Sequence, residues 1–213
     1  MTQDTTPRFL IAVHCDSGSG MENRFDTISI PNAGIAVLCR IAQMMNVNSV
    51  ALDKSFLGTN NSLASDRSGD SFATLKSHVF AAVQASLARK ELPFVLCTVL
   101  NYNAEESLRL LKQVKDRFGT RVRTGVGGQH IRTCVAGFLN KLSRESAKRS
   151  NLPYFEGGYL DHVAVGHAEV LLPKIFGFEL NQAAGQDVYV QGELQLEPGS
   201  PVHYATPYYD TYH

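Results

Sequence analysis

What the chain lacks narrows its class first. It carries no excess charge of either sign: Lys+Arg 20 balances Asp+Glu 20. No global field therefore gathers nucleic acid or an anionic membrane surface, and neither is an expected partner. The four cysteines, Cys15, Cys39, Cys97 and Cys134, make no Cys-x-x-Cys pair, and each falls in or beside an expected element. That pattern reads as reduced, mostly buried thiols. No apolar run reaches the roughly 18 residues of a membrane span, and Met1 to Arg8 is polar rather than a signal peptide, so the expected location is cytoplasmic. The histidines show no compact ligand spacing, which sets metal-dependent hydrolysis aside and predicts no protein-held metal. A P-loop lysine and the glycine spacing of a dinucleotide fingerprint are also missing. There is no internal repeat and no low-complexity tract.

What is present suits one domain with an extension, because 213 residues at 44% hydrophobic composition supply a sizeable core. Arg8 to His14 is a near-continuous apolar run, as a first parallel strand buried on both faces should be. Cys15 to Gly20 breaks it with Asp, Ser and Gly. From Pro31, Ile35, Leu38, Ile41, Ala42 and Met45 recur at helical spacing. Asn48 to Asp53 is a second strand ending in an acid, followed by a polar loop from Lys54 to Gly69, long enough to be functional or mobile. A helix capped at Asp70 or Ser71 buries Phe72, Leu75, Val79, Ala82, Val83 and Leu87, and Pro93 forbids its continuation. Phe94 to Leu100 is the third strand.

Asn103 and Glu106 have the spacing of a capping box for the next helix, whose buried stripe is Leu108, Leu111, Val114 and Phe118. Lys112, Lys115 and Arg117 complement its negative end, and Gly119 stops it. Thr124 to His130 (Thr-Gly-Val-Gly-Gly-Gln-His) then closes an apolar run beginning near Arg121. Gly127-Gly128 lets the backbone turn without a Cβ and lie close against a ligand. Ile131 to Arg149 reads as a helix, Asp161 to Val165 as a fifth strand and Val170 to Phe176 as a last helix. Gln186 to Glu197 suggests a small hairpin outside the main sheet.

This alternation predicts an α/β fold: a doubly wound, mostly parallel five-stranded sheet of Rossmann or flavodoxin-like order over residues 1–178. A hairpin and a Pro/Tyr-rich tail over 179–213 form a small C-terminal extension. In such sheets ligands bind at the carboxyl ends of the strands, where the glycine pair falls.

Four stretches carry a resemblance. Pro31-Asn-Ala-Gly-Ile-Ala-Val-Leu resembles the proline-led first helix, and Asp53 the acid closing the second strand, of the cobalamin-binding domain that precedes the catalytic barrel in cobalamin-dependent radical S-adenosylmethionine enzymes. Val126-Gly127-Gly128-Gln129-His130 resembles that family's Gly-Gly-Pro-His turn, with Gln129 in place of proline. Gly166-His167-Ala168-Glu169 with Leu172-Pro173 resembles its Gly-Glu-Gly-Glu followed by Leu-Pro. Together these span roughly residues 8 to 178. The Asp-x-His-x-x-Gly with which another cobalamin-domain class ligates cobalt is missing, so the resemblance implies cobalamin held without a protein histidine on the metal. The Cys-x-x-x-Cys-x-x-Cys triplet of an iron–sulfur cluster is missing too, so no such cluster is expected and the chain is not catalytic alone. Pro207-Tyr208-Tyr209-Asp210 resembles the linker to the radical barrel. The expectation is either a piece of a longer enzyme, a methyltransferase by the resemblance, or a stand-alone domain serving a separate catalytic chain.

A corrinoid is a large, mostly apolar disc with polar arms and a nucleotide tail, so its site needs a platform, backbone donors and a slot. The candidates to bind it are Cys15, Asp16, Ser17 and Gly18; Phe56 and Leu57 as a floor; Thr98 and Asn101; Gly127, Gly128, Gln129 and His130; and Gly166, His167 and Glu169. Two other readings stay open. The Asp16-Ser-Gly-Ser-Gly loop can cradle a flavin phosphate in a flavodoxin-like protein, or the domain can be cofactor-free and bind a partner.

Overall fold

The computed structural model of the chain describes residues 6–15, 33–54, 71–100, 103–128, 131, 158–165, 168–177 and 187–190. In chain order these form β1 (Arg8–His14), α1 (Ala33–Met44), β2 (Asn48–Asp53), α2 (Ser71–Ala88), β3 (Leu92–Thr98) and α3 (Ala104–Phe118). A short 3-10 turn (Gly119–Arg121), β4 (Arg123–Gly127), β5 (His162–Val165), α4 (Ala168–Gly177) and β6 (Asp187–Val190) follow. The strands lie in the order β2-β1-β3-β4-β5-β6, and every pairing is parallel. This is the doubly wound α/β arrangement, with its switch point between β1 and β3. Among the described residues no helix is long and apolar enough to cross a membrane.

β6 departs from expectation. Asp187–Val190 pairs in parallel with β5, so this segment is a sixth strand of the main sheet rather than part of a hairpin outside it. The Val188–Val190 alternation is a strand signal in either setting, and the choice of partner is a long-range matter that the local pattern does not carry. The expected helix after Gln129 is represented by Ile131 alone, helical and buried; the remainder of Ile131 to Arg149 lies outside the described residues.

Three helices, α1, α2 and α3, stop for local reasons. At the end of α1, the Val47 N–H donates to the Ala42 carbonyl at 2.8 Å and Asn46 turns left-handed at φ 57°. α2 closes the same way, with Glu91 N–H on the Ser86 carbonyl at 3.0 Å and Lys90 at φ 61°. Both are Schellman closures that satisfy otherwise orphaned carbonyls. α2 thus ends before Pro93, which sits as the second residue of β3. Gly119, at φ 59°, ends α3 as its sequence predicts.

The start of α3 corrects the capping-box reading. The Asn103 side chain makes no cap hydrogen bond. Its Oδ1 accepts from Leu100 N–H at 2.7 Å, and its Nδ2 donates to the Thr98 carbonyl at 3.2 Å. Glu106 is likewise diverted, holding Lys54 Nζ through both oxygens at 2.7 and 2.9 Å. These bonds tie the ends of β3 and β2 to α3, so tertiary partners have replaced the local ones.

Alternate strand residues serve two cores. Ile11, Val13, Val95, Cys97 and Val126 pack with Leu75, Val79, Val83, Leu111 and Val114 of α2 and α3. Leu10, Ala12, Phe94, Leu96 and Ala164 pack with Ile35, Leu38, Leu171, Leu172 and Ile175 of α1 and α4. At the amino edge, Asp161 Oδ2 accepts from Lys115 Nζ at 2.6 Å and from Thr124 N–H at 2.8 Å, joining α3, β4 and the segment entering β5. Lys115 therefore serves the sheet as well as the end of its own helix.

Candidate functional site

The strand registers line up side chains across the carboxyl edge. Asp53 pairs with His14, His14 with Thr98, and Thr98 with Gly127. A Cβ built on Gly127 would touch Ala164 Cβ at 3.5 Å, which continues the row onto β5. One turn of pleat below runs a second row: Ala51, Ala12, Leu96, Gly125 and His162. Residues in register on neighbouring parallel strands face the same side, so the first row changes character along the edge. It is acidic and imidazole-bearing at β2 and β1, where Asp53 and His14 are both buried. At β3 it carries a hydroxyl, and at β4 and β5 it is almost bare.

Where the row is bare, a cavity of about 150 Å³ lies between the sheet and the helices α1 and α4. Its walls are Val37, Leu38, Leu96, Ala164, Leu171, Leu172 and Ile175, with Thr98, Gly127 and Gly128 at the carboxyl edge and His162 deeper on β5. Gly34, exposed near the start of α1, also lines it. The lining is mainly aliphatic, and an engineered apolar cavity of about 150 Å³ stays dry and takes up benzene. A space of this size and lining has room for a small apolar group.

The two glycines of the central turn do different work. Gly128 has φ 109°, and a Cβ there would lie 2.7 Å from the Val99 carbonyl oxygen and 2.9 Å from its nitrogen. Its missing side chain is taken up by the chain itself, where the Val99 N–H donates to the Gly127 carbonyl at 2.7 Å. Gly127 instead leaves space in the cavity, its Cβ position meeting only Ala164 at ordinary contact distance. Open space therefore lies beside Gly127, whereas Gly128 is required by the close approach of β3 and β4.

Of the other sequence-derived candidates, Thr98 lines the cavity. Cys15 does not: it is buried in the core on the α2–α3 side of the sheet. There its thiol meets that of Cys97, and the hydrogen bond with Cys15, followed by burial, pushes the Cys97 thiol well above its ordinary value of 9.0. Cys15, Cys39 and Cys97 are free thiols. Glu169 falls in the first turn of α4. Asp16, Ser17, Gly18, Phe56, Leu57, Asn101, Gln129, His130, Gly166 and His167 lie outside the described residues. Among those described, no three His, Cys, Asp or Glu side chains are grouped as metal ligands would be.

Sequence reasoning missed His162 and the α4 wall. A histidine two residues before Ala164 on the short apolar strand β5 was the available signal, because alternation puts both on one face. The absent side chain of Gly125 leaves β3 and β5 close together: a Cβ there would lie 2.9 Å from a Leu96 methyl and 3.1 Å from His162 Cβ. The His162 ring stacks on Phe94, with centroids 6.1 Å apart and planes 19° from parallel.

Searches with the sequence and the structure found no matching family model, no matching curated protein and no matching solved structure.

Proposed function

We propose that this chain is a cytoplasmic corrinoid-binding module of, or derived from, a cobalamin-dependent radical S-adenosylmethionine enzyme, by resemblance a methyltransferase. The observation that supports the reading is the apolar slot at the carboxyl edge of β3, β4 and β5, which lies beside Gly127 and offers aliphatic walls against which an aromatic base would bury its faces. When bound, the cofactor would supply cobalt-centred alkyl transfer. The residues' own part is binding and orientation: Leu38, Leu96, Leu171, Leu172 and Ile175 exclude water from the tail, and Thr98 offers a hydroxyl at the rim. Asn103 holds the β3–α3 connection beside it through Thr98 and Leu100. No histidine is assigned to cobalt in this reading.

The test is an absorbance and calorimetric titration of the purified chain with hydroxocobalamin and methylcobalamin, alongside an Ala164→Leu variant that fills the slot. Micromolar or tighter binding by the parent chain, weakened about tenfold or more in the variant, is expected. A folded sample that gives neither spectral change nor heat with either corrinoid overturns the reading.

A further inference from the structure

Polar partners are scarce inside the slot. Val37 and Leu38 of α1, Leu96 of β3, Ala164 of β5 and Leu171 and Leu172 of α4 present only hydrocarbon to it. His162 is already engaged: it has an interaction of its own, and its ring stacks on Phe94. Backbone groups near the mouth are taken as well. The Val99 N–H donates to the Gly127 carbonyl at 2.7 Å, the Thr98 carbonyl accepts from Asn103 Nδ2 at 3.2 Å, and the Leu100 N–H donates to Asn103 Oδ1 at 2.7 Å. Thr98 itself is half-buried at the rim, so a polar atom held there keeps access to its hydroxyl or to water. A polar atom carried further in gives up its bonds to water, and nothing among the described wall residues replaces them.

We propose that the slot selects a flat ligand by where it carries its polarity, taking fused rings whose inner ring is pure hydrocarbon over isosteric rings with nitrogens in that ring. The hydrocarbon ring enters against the aliphatic walls, and the polar ring stays near Thr98. This deepens the corrinoid reading and rests on it: the module would prefer corrinoids with a benzimidazole tail to those with a purine tail. The selection itself belongs to the slot and is testable without a corrinoid.

The probes are 1-methylbenzimidazole and 9-methylpurine, which share one shape and one imidazole acceptor and differ by two nitrogens in the six-membered ring. Each is titrated into the intact chain in mildly alkaline buffer, where both are neutral, and followed by NMR of the Ala164, Leu171, Leu172 and Ile175 methyl groups. The benzimidazole should bind roughly fivefold or more tighter, the penalty for burying an acceptor without a partner, with its shifts centred on those methyls. In Ala164→Leu, which fills the slot, the preference should disappear. The comparison in the parent chain stands even if that variant does not fold. Equal affinities, tighter purine binding, no binding of either probe, or a preference surviving in a folded Ala164→Leu each overturn the proposal. Hydroxocobalamin binding without probe selectivity removes the selection and leaves the corrinoid reading. Probe selectivity without corrinoid binding does the reverse.

Discussion

On one face of the sheet, Leu75, Val79 and Val83 of α2 and Leu111 and Val114 of α3 close against Ile11, Val13, Val95 and Val126 in a continuous core. On the other, α1 and α4 cover Leu10, Ala12, Phe94 and Leu96, but where Gly127 and Ala164 replace larger side chains a slot is left. Both faces are drawn from alternate residues of the same strands, so the difference lies in side-chain volume at a few register positions. A small residue in a strand can mark a ligand's space, or space the chain itself occupies. Gly127 borders the open slot, whereas the space at Gly128 is taken by the Val99 backbone.

The largest expected effect follows from that contrast. Gly128→Val meets the Val99 backbone and a left-handed φ together, so it should cost about 3 kcal/mol or more in a urea unfolding curve. Gly127→Ala, with only ordinary contacts, should stay within about 1 kcal/mol. Binding lost in the valine variant therefore reports on the fold, and slot residues are the better controls.

Enlarging side chains sharpens the comparison next. Val79→Phe on the filled face should cost about 1–3 kcal/mol by overpacking. Ala164→Leu on the slot face should cost less than about 1 kcal/mol, because existing space receives it. Similar losses in both would mean that the slot closes in solution.

The filled face also holds a pH dependence. The Cys97 thiol, hydrogen-bonded with Cys15 and buried, ionises well above its ordinary value of 9.0, whereas the unfolded chain ionises there. The folded pKa is raised, so this group's contribution is fully present below pH 9.0 and is lost as pH rises toward the folded value. Stability should fall above that point by up to about 1.4 kcal/mol per pH unit from this group. Burial raises Tyr159 from 10.0, which acts in the same direction at higher pH. Unfolding curves from about pH 8 to 10.5 should be flatter in Cys97→Val; an unchanged slope would contradict the assignment.

The smallest effect lies away from both faces. Lys90 adopts φ 61° in the closure of α2, so Lys90→Gly should raise stability by about 0.5–1 kcal/mol, read as a higher melting temperature.

How far the sequence reaches depends on the range of the forces involved. The apolar runs from Arg8, Asn48 and Phe94, and the stripe of Leu108, Leu111, Val114 and Phe118, predict their elements well because burial periodicity is local. Gly119 marks the end of α3 for the same reason. Asn103 and Glu106 mislead because the residues that take their hydrogen bonds, Leu100 and Thr98 for one and Lys54 for the other, are fixed by tertiary placement. The pairing of Asp187–Val190 with β5, and of Gly125 with His162, is register across strands, which no local pattern shows. Of the candidate site, Thr98 and the glycine pair were legible from strand ends; the slot was not, because its volume is set by α1 and α4 together.

The most direct test of the slot as a ligand site compares cobalamin with cobinamide, which has the same corrin ring but lacks the nucleotide tail. The account predicts that the chain binds cobalamin at least about tenfold more tightly, the gain from burying an aromatic base, and that Ala164→Leu removes the difference while costing less than about 1 kcal/mol of stability. Equal affinity for the two corrinoids in the parent chain would contradict it.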